Sequence, residues 1–157
     1  MIKPLVMIAL GCGALAAMLP DRREEPARPV SAVVRAPGEP VRLERAEDGH
    51  FYVHGEVDGQ LARFLVDTGA TSVALTVGDA ARLGVDFSPA NFTVVGMGAS
   101  GPVRGQEVTL GKIVVEGREA HEVQGVVLEG LEISLLGQSF LSRIGSIEMA
   151  SDYMVLR

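Results

Sequence analysis

The stretch Phe64-Leu65-Val66-Asp67-Thr68-Gly69-Ala70-Thr71 sets an acid directly after an apolar run, and Val73-Ala74-Leu75 then resumes that run. A carboxylate at the end of a buried strand is costly unless it is hydrogen-bonded or functional. Gly69 permits a tight turn that brings backbone amides toward the acid. Thr68 supplies a hydroxyl able to bond across a symmetry axis. As a bare tripeptide, Asp67-Thr68-Gly69 is also compatible with an ordinary turn. Its place between two apolar strands is what raises it above that reading.

Outward from this loop the pattern is mainly β. Residues 51–57 and 61–66 alternate around Asp58-Gly59, a strong two-residue hairpin signal. Further strands are expected near 92–95, 103–110, 113–115 and 119–128, with Glu116-Gly117 offering a second hairpin turn. Only 77–83 and 138–143 read as short helices. A hydrophobic content of 47% supports a real core, while 4% aromatic residues, no Trp and 19 Gly suit thin β structure with many turns. The folded domain is expected over residues 49–157.

Two other regions precede it. In residues 1–20, the segment from Leu5 to Leu19 is apolar apart from Cys12. As a helix it would span roughly 22 Å, short of a hydrocarbon core of about 30 Å. That length fits a signal-peptide hydrophobic region, with Ala14-Leu15-Ala16 as a small-residue cleavage site, or a short anchor in a thinned bilayer. A buried N-terminal helix and a lipidated Cys12 are the alternatives, although Ala9 stands where a lipobox usually has Leu. The expected location is the cell envelope, membrane-anchored or exported, with the domain on the periplasmic side. Residues 21–48, with Pro26, Pro29, Pro37 and Pro40 among mixed charges, read as an extended, solvated linker.

The net charge is -6, and because acids and bases balance before His50, the excess lies in the domain. An acidic domain is a poor binder of phosphate backbones, so no nucleic-acid partner is expected. One cysteine excludes an internal disulfide and a Cys-based zinc site. His50 and His54 have helical chelating spacing, but four residues along a strand cover roughly 13 Å, too far for one metal. No metal and no cofactor are expected. Gly96-Met97-Gly98-Ala99-Ser100-Gly101 matches a dinucleotide fingerprint superficially, yet Pro102 and a strand-like stretch follow it instead of a helix.

Residues 64–75 resemble the active-site strand and loop of retropepsin-like aspartic proteases. Two further matches follow in the family's order. Gly96, Met97, Gly98, Ala99, Ser100 and Gly101 resemble the glycine-rich flap that closes over substrate. Leu135, Leu136 and Gly137, with the helix after them, resemble the apolar-apolar-Gly element beneath the catalytic loop. The resemblance covers about 51–157 and is nearest to the bacterial, single-domain, membrane-anchored members. It departs from the retroviral pattern at Gln138, where those members usually have Arg.

The resemblance implies a small closed β barrel with a flap hairpin and a short C-terminal helix, working as a two-fold homodimer. It implies an aspartic endopeptidase with Asp67 as the catalytic residue and Thr68, Gly69 and Ala70 as loop support. In that chemistry two aspartates share one water and one proton. This chain has a single Asp-Thr-Gly, so the second carboxylate has to come from another copy. Substrate would lie extended under the flap, in apolar pockets around Ala70, Met97 and Val103. Because Ala70 cannot donate a side-chain hydrogen bond to the carboxylate, as a serine could, a mildly acidic working range is expected. Two rival readings keep the same fold or location without turnover: a peptide-binding or dimerisation module, and a structural envelope protein.

Overall fold

The computed structural model describes residues 39–98 and 101–157. Residues 1–20, most of the 21–48 linker, and Ala99 and Ser100 lie outside the described residues, and so do the expectations placed on them.

The first hairpin forms as its turn chemistry dictates. Strands β2 (Tyr52–Val57) and β3 (Gln60–Val66) pair antiparallel, with Val57 opposite Gln60. Asp58 at φ 50° and Gly59 at φ 84° are both left-handed, as a two-residue turn between twisted strands requires. After the loop that carries Asp67, β4 (Val73–Thr76) runs into helix α1 (Val77–Arg82), whose first turn is capped by the Thr76 hydroxyl accepting from the Asp79 amide at 2.9 Å. A short 3-10 turn at Pro89–Asn91 leads to β5 (Thr93–Gly98). Strand β6 (Gly101–Val115) then returns along β5, and β7 (Arg118–Leu128) along β6. The chain continues through β8 (Leu135–Leu136), α2 (Gln138–Leu141), β9 (Ile147–Met149) and β10 (Tyr153–Leu156).

Six of these strands make a ring. The order β2-β3-β8-β4-β7-β6 is closed by β6 pairing back onto β2, with Val57 opposite Ile113 and Gly55 opposite Val115. Its interior is filled by Phe64, Leu75, Leu110, Ile113, Leu136 and Phe140, all fully buried. Strand β5 pairs only with the N-terminal end of β6, so this hairpin projects from the ring. The architecture is therefore the mainly β closed barrel expected, with its hairpin and short helix near the C-terminus.

The structure adds strands β9 and β10, where the sequence reading expected none, and differs from it further at β6 and at the linker boundary. Strand β6 is one element, not two separated at Gly111. The Gly111 and Lys112 amides turn toward the Asp58 carboxylate, at 3.3 and 2.7 Å, while the register with β7 is the same on both sides. The last difference corrects the linker boundary. Residues Val41–Glu44, assigned to the solvated segment, form strand β1, which pairs antiparallel with β10 in a second, three-stranded sheet β1-β10-β9. Val41 is 1% exposed. The buried Arg118 guanidinium donates to the carbonyls of Glu39 (2.6 Å) and Leu156 (3.0 Å), fastening both terminal strands to the end of β7. Pro37 and Pro40 masked this short strand, and its pairing partner lies at the opposite end of the domain.

Candidate active site

Asp67 follows the last residue of β3. Strand pairing alone sets where it emerges: β8 lies parallel to β3, with Leu65 opposite Leu135 and Val66 opposite Leu136, and the Asp67 amide donates to the Leu136 carbonyl at 3.1 Å. The Asp67 side chain is half-buried, and its Oδ1 accepts the Gly69 amide at 2.9 Å. Thr68 and Gly69 are exposed and Ala70 is half-buried. The Thr68 hydroxyl has no hydrogen-bond partner among the described residues.

The loop is held from below by the start of α2. The Gln138 and Ser139 amides donate to the carbonyls of Ala70 and Thr71, both at 2.9 Å. Gln138 Nε2 adds a bond to the Thr68 carbonyl at 3.0 Å. The Ser139 hydroxyl accepts the Val73 amide at 2.9 Å and donates to the Gln124 carbonyl at 2.6 Å, joining β4 to β7. Gly137 is where these two layers meet. A Cβ there would lie 2.7 Å from the Ser72 carbonyl carbon and 2.8 Å from the Ala70 oxygen, so only glycine fits. Leu136 is fully buried in the barrel interior and Leu135 is half-buried on the groove side.

The sequence singled out Asp67, Thr68, Gly69, Ala70 and the Leu135-Leu136-Gly137 element, and the fold brings them together in this two-layered loop. It did not single out Ser139. Gln138 stood out only as a departure from a family pattern, although it braces the loop. Neither carries a local signal, since a Gln or Ser at a helix start is common and their partners are distant in sequence.

The β5–β6 hairpin carries Gly96, Met97, Gly98 and Gly101, with Met97 opposite Pro102 and Gly98 opposite Gly101. A register shift between Val94 and Gly96 bulges the strand, and Met97 is 77% exposed. Between this hairpin and the loop lies a groove of about 470 Å³, whose walls include Ala70, Thr71, Val95, Met97 and Val103. It begins at Ala70; Asp67, Thr68 and Gly69 are not part of its lining. Gly96-Met97-Gly98 thus lies in a β-hairpin over a groove and opens no helix. Among the described residues, no three His, Cys, Asp or Glu side chains group to hold a metal, and no helix is long and apolar enough to cross a membrane.

Residues 53–143 match the family described as "gag-polyprotein putative aspartyl protease". The fold is similar to the crystal structure of a retropepsin-like aspartic protease from Rickettsia conorii, with a TM-score of 0.66 and 34% identity, over 75% of this chain and 98% of that one. It is also similar to the EIAV protease in complex with the inhibitor HBY-793, at a TM-score of 0.52 and 20% identity over 63% of this chain and 91% of that one, a likeness of fold alone. An uncharacterised protein of Rickettsia prowazekii (strain Madrid E) is 36% identical over 73% of this chain and 49% of its own length. Another, from the cobV 5' region of a Sinorhizobium species, is 40% identical over 74% of this chain and 51% of its own. The chain spans about half the length of these curated relatives.

A closed β ring, an Asp-Thr-Gly loop braced by an apolar-apolar-Gly strand, and a hairpin over a groove define an acid-protease fold. This chain belongs to the retropepsin-like aspartic protease family.

Proposed function

We propose that the chain is an aspartic endopeptidase that becomes competent when two copies pair about a two-fold axis at Asp67-Thr68-Gly69. The observation that carries this reading is the state of the loop in a single chain. One carboxylate is fixed by the Gly69 amide, its backbone is braced by β8 and α2, and Thr68 and Gly69 are exposed with the Thr68 hydroxyl free. An isologous contact there sets Asp67 beside Asp67 of the partner subunit.

The chemistry then follows from charge. Two carboxyls at close range do not both ionise easily, so the pair holds one proton. The ionised one takes a proton from the shared water as its oxygen bonds to the peptide carbonyl carbon. The protonated one donates to the carbonyl oxygen, giving a neutral tetrahedral diol. Collapse of the diol breaks the C–N bond, and the amine leaves with a proton returned from the dyad. The peptide lies in the groove beneath the β5–β6 hairpin, which serves as the flap, with Gly96, Met97, Gly98 and Gly101 over the substrate backbone.

A second reading has one observation in its favour. The groove is lined by residues of one chain, whereas the dyad needs two, which favours a chain that binds peptide without cleaving it when it does not pair. We further propose export or membrane anchoring through residues 1–20, supported by the apolar Leu5 to Leu19 run.

The test is digestion of a peptide library by wild type and Asp67→Asn, with the oligomeric state followed by analytical ultracentrifugation. Cleavage is expected from wild type alone, with specific activity rising with concentration through the dimerisation range. Equal cleavage by both proteins would sink the enzyme reading. A dimeric wild type that cleaves nothing would favour the binding module.

A further inference from the structure

The floor of the groove is built from one row of register-matched residues. Leu135 on β8 lies opposite Ala74 on β4, Ala74 opposite Val126 on β7, and Val126 opposite Glu107 on β6. Neighbouring strands are about 4.8 Å apart, so Glu107 stands roughly 10 Å from Ala74 and 14 Å from Leu135. All four line the groove. The row is apolar until it ends in a carboxylate.

Glu107 is the one ionisable side chain among the described residues lining that groove. It is exposed and makes no hydrogen bond or ion pair with any described residue. The nearest cation on its own strand, Arg104, is already engaged by the Phe92 carbonyl at 3.0 Å and Glu129 at 3.4 Å. Val103 and Leu128 flank the groove with aliphatic surface. The other polar lining residues, Thr71, Ser72 and Gln124, are neutral, and a free carboxylate at the end of the apolar row suits a side chain with an apolar stem and a cationic head, which is lysine or arginine. The domain's excess negative charge draws such peptides in from solution.

We infer that Glu107 is a specificity-determining residue that selects a lysine or arginine in the substrate at a position removed from the cleaved bond. This rests on the proposed peptidase reading for its setting, but selection by Glu107 acts on binding and is measurable without turnover. An extended peptide advances about 3.3 Å per residue, so a carboxylate some 10 Å from Ala74 reads a residue two or three places away from those nearest the loop.

The experiment uses the full chain, purified in detergent, as wild type, Glu107→Gln and Glu107→Lys. Each is profiled with a peptide library and with matched peptides differing only in Lys, Gln or Glu at the enriched position. Wild type is expected to favour the Lys peptide over the Gln peptide by about five-fold, the upper range for an exposed ion pair, with the preference shrinking in high salt. Glu107→Gln should abolish the preference, and Glu107→Lys should favour the Glu peptide. The same peptides are titrated onto Asp67→Asn with and without Glu107→Gln. A basic preference in binding that Glu107→Gln removes upholds the inference even where wild type cleaves nothing, an outcome that defeats only the peptidase reading. No basic preference in cleavage or binding, or one that Glu107→Gln retains, overturns it.

Discussion

Gln138 donates its side-chain amide to the carbonyl oxygen of Thr68 at 3.0 Å, so the first residue of α2 holds the middle residue of the Asp-Thr-Gly loop. The loop is otherwise open at that point, because Thr68 and Gly69 are both exposed. Removing the amide leaves the backbone bonds from Gln138 and Ser139 intact and frees only the tip. Gln138→Ala is expected to cost about 1 kcal/mol in urea melts, the usual worth of one such bond. Peptidase activity should fall about five-fold, through kcat and not KM, because a positioning contact acts on the reacting geometry. An unchanged kcat would mean the loop tip is held by other means.

Gly137 permits less tolerance. A Cβ there meets backbone atoms of Ser72 and Ala70, which belong to the loop and cannot swing aside as a flexible side-chain end could. Gly137→Ala should destabilise by about 3 kcal/mol or more, at the upper end for overpacking. It should also separate the loop from α2. Thermal melts and amide exchange at Ala70 to Val73 check this; a melting temperature within a degree or two of wild type would contradict it.

These two residues show what was legible in the sequence. Gly137 was legible only through the family resemblance of Leu135-Leu136-Gly137, whereas the loop that ends the apolar run at Val66 was legible as a local pattern. The hairpin turns at Asp58-Gly59 and Glu116-Gly117 were equally local, since both sites take up positive φ. What escaped was long-range. Strand β1 pairs with β10, Ser139 bridges β4 to β7, and the row ending in Glu107 exists only once four strands have registered. A short strand just after two prolines or a lone serine carries no periodicity that announces such partners.

Asp79 couples stability to pH. Burial pushes its carboxyl up, but hydrogen bonds from Ser134 at 2.5 Å and Arg82 at 2.7 Å, with the Arg82 charge, outweigh burial and hold it below its ordinary value. A depressed carboxylate contributes stability that is complete above its unfolded value, near 4, and is lost as pH falls through the lower folded value. Asp79→Asn should therefore be less stable than wild type by about 1 to 2 kcal/mol at neutral pH, with the gap closing in strong acid. Ser134 is fully buried, so Ser134→Ala, which also strips the Thr76 amide of its partner, should reproduce the loss. Urea titrations from pH 7 to pH 2 measure the gap, and one that widens in acid would refute the assignment.

Ala70 is the position at which an added hydroxyl is expected to move the pH range of the proposed dyad. In the single chain the Asp67 carboxylate accepts one amide, from Gly69, and the residue after that glycine has no side-chain donor. A serine hydroxyl at this position can donate to the carboxylate, which favours its ionised form and moves the active range toward acid. One added hydrogen bond of about 1 kcal/mol corresponds to somewhat under one pH unit. Ala70→Ser is therefore expected to move the optimum of kcat/KM down by about that much. Profiles from pH 2 to pH 8 for both proteins decide it, because a change acting only through packing would lower the whole curve without displacing it. A wild-type optimum near pH 2, or a serine variant with an unmoved one, would show that another group sets the working range.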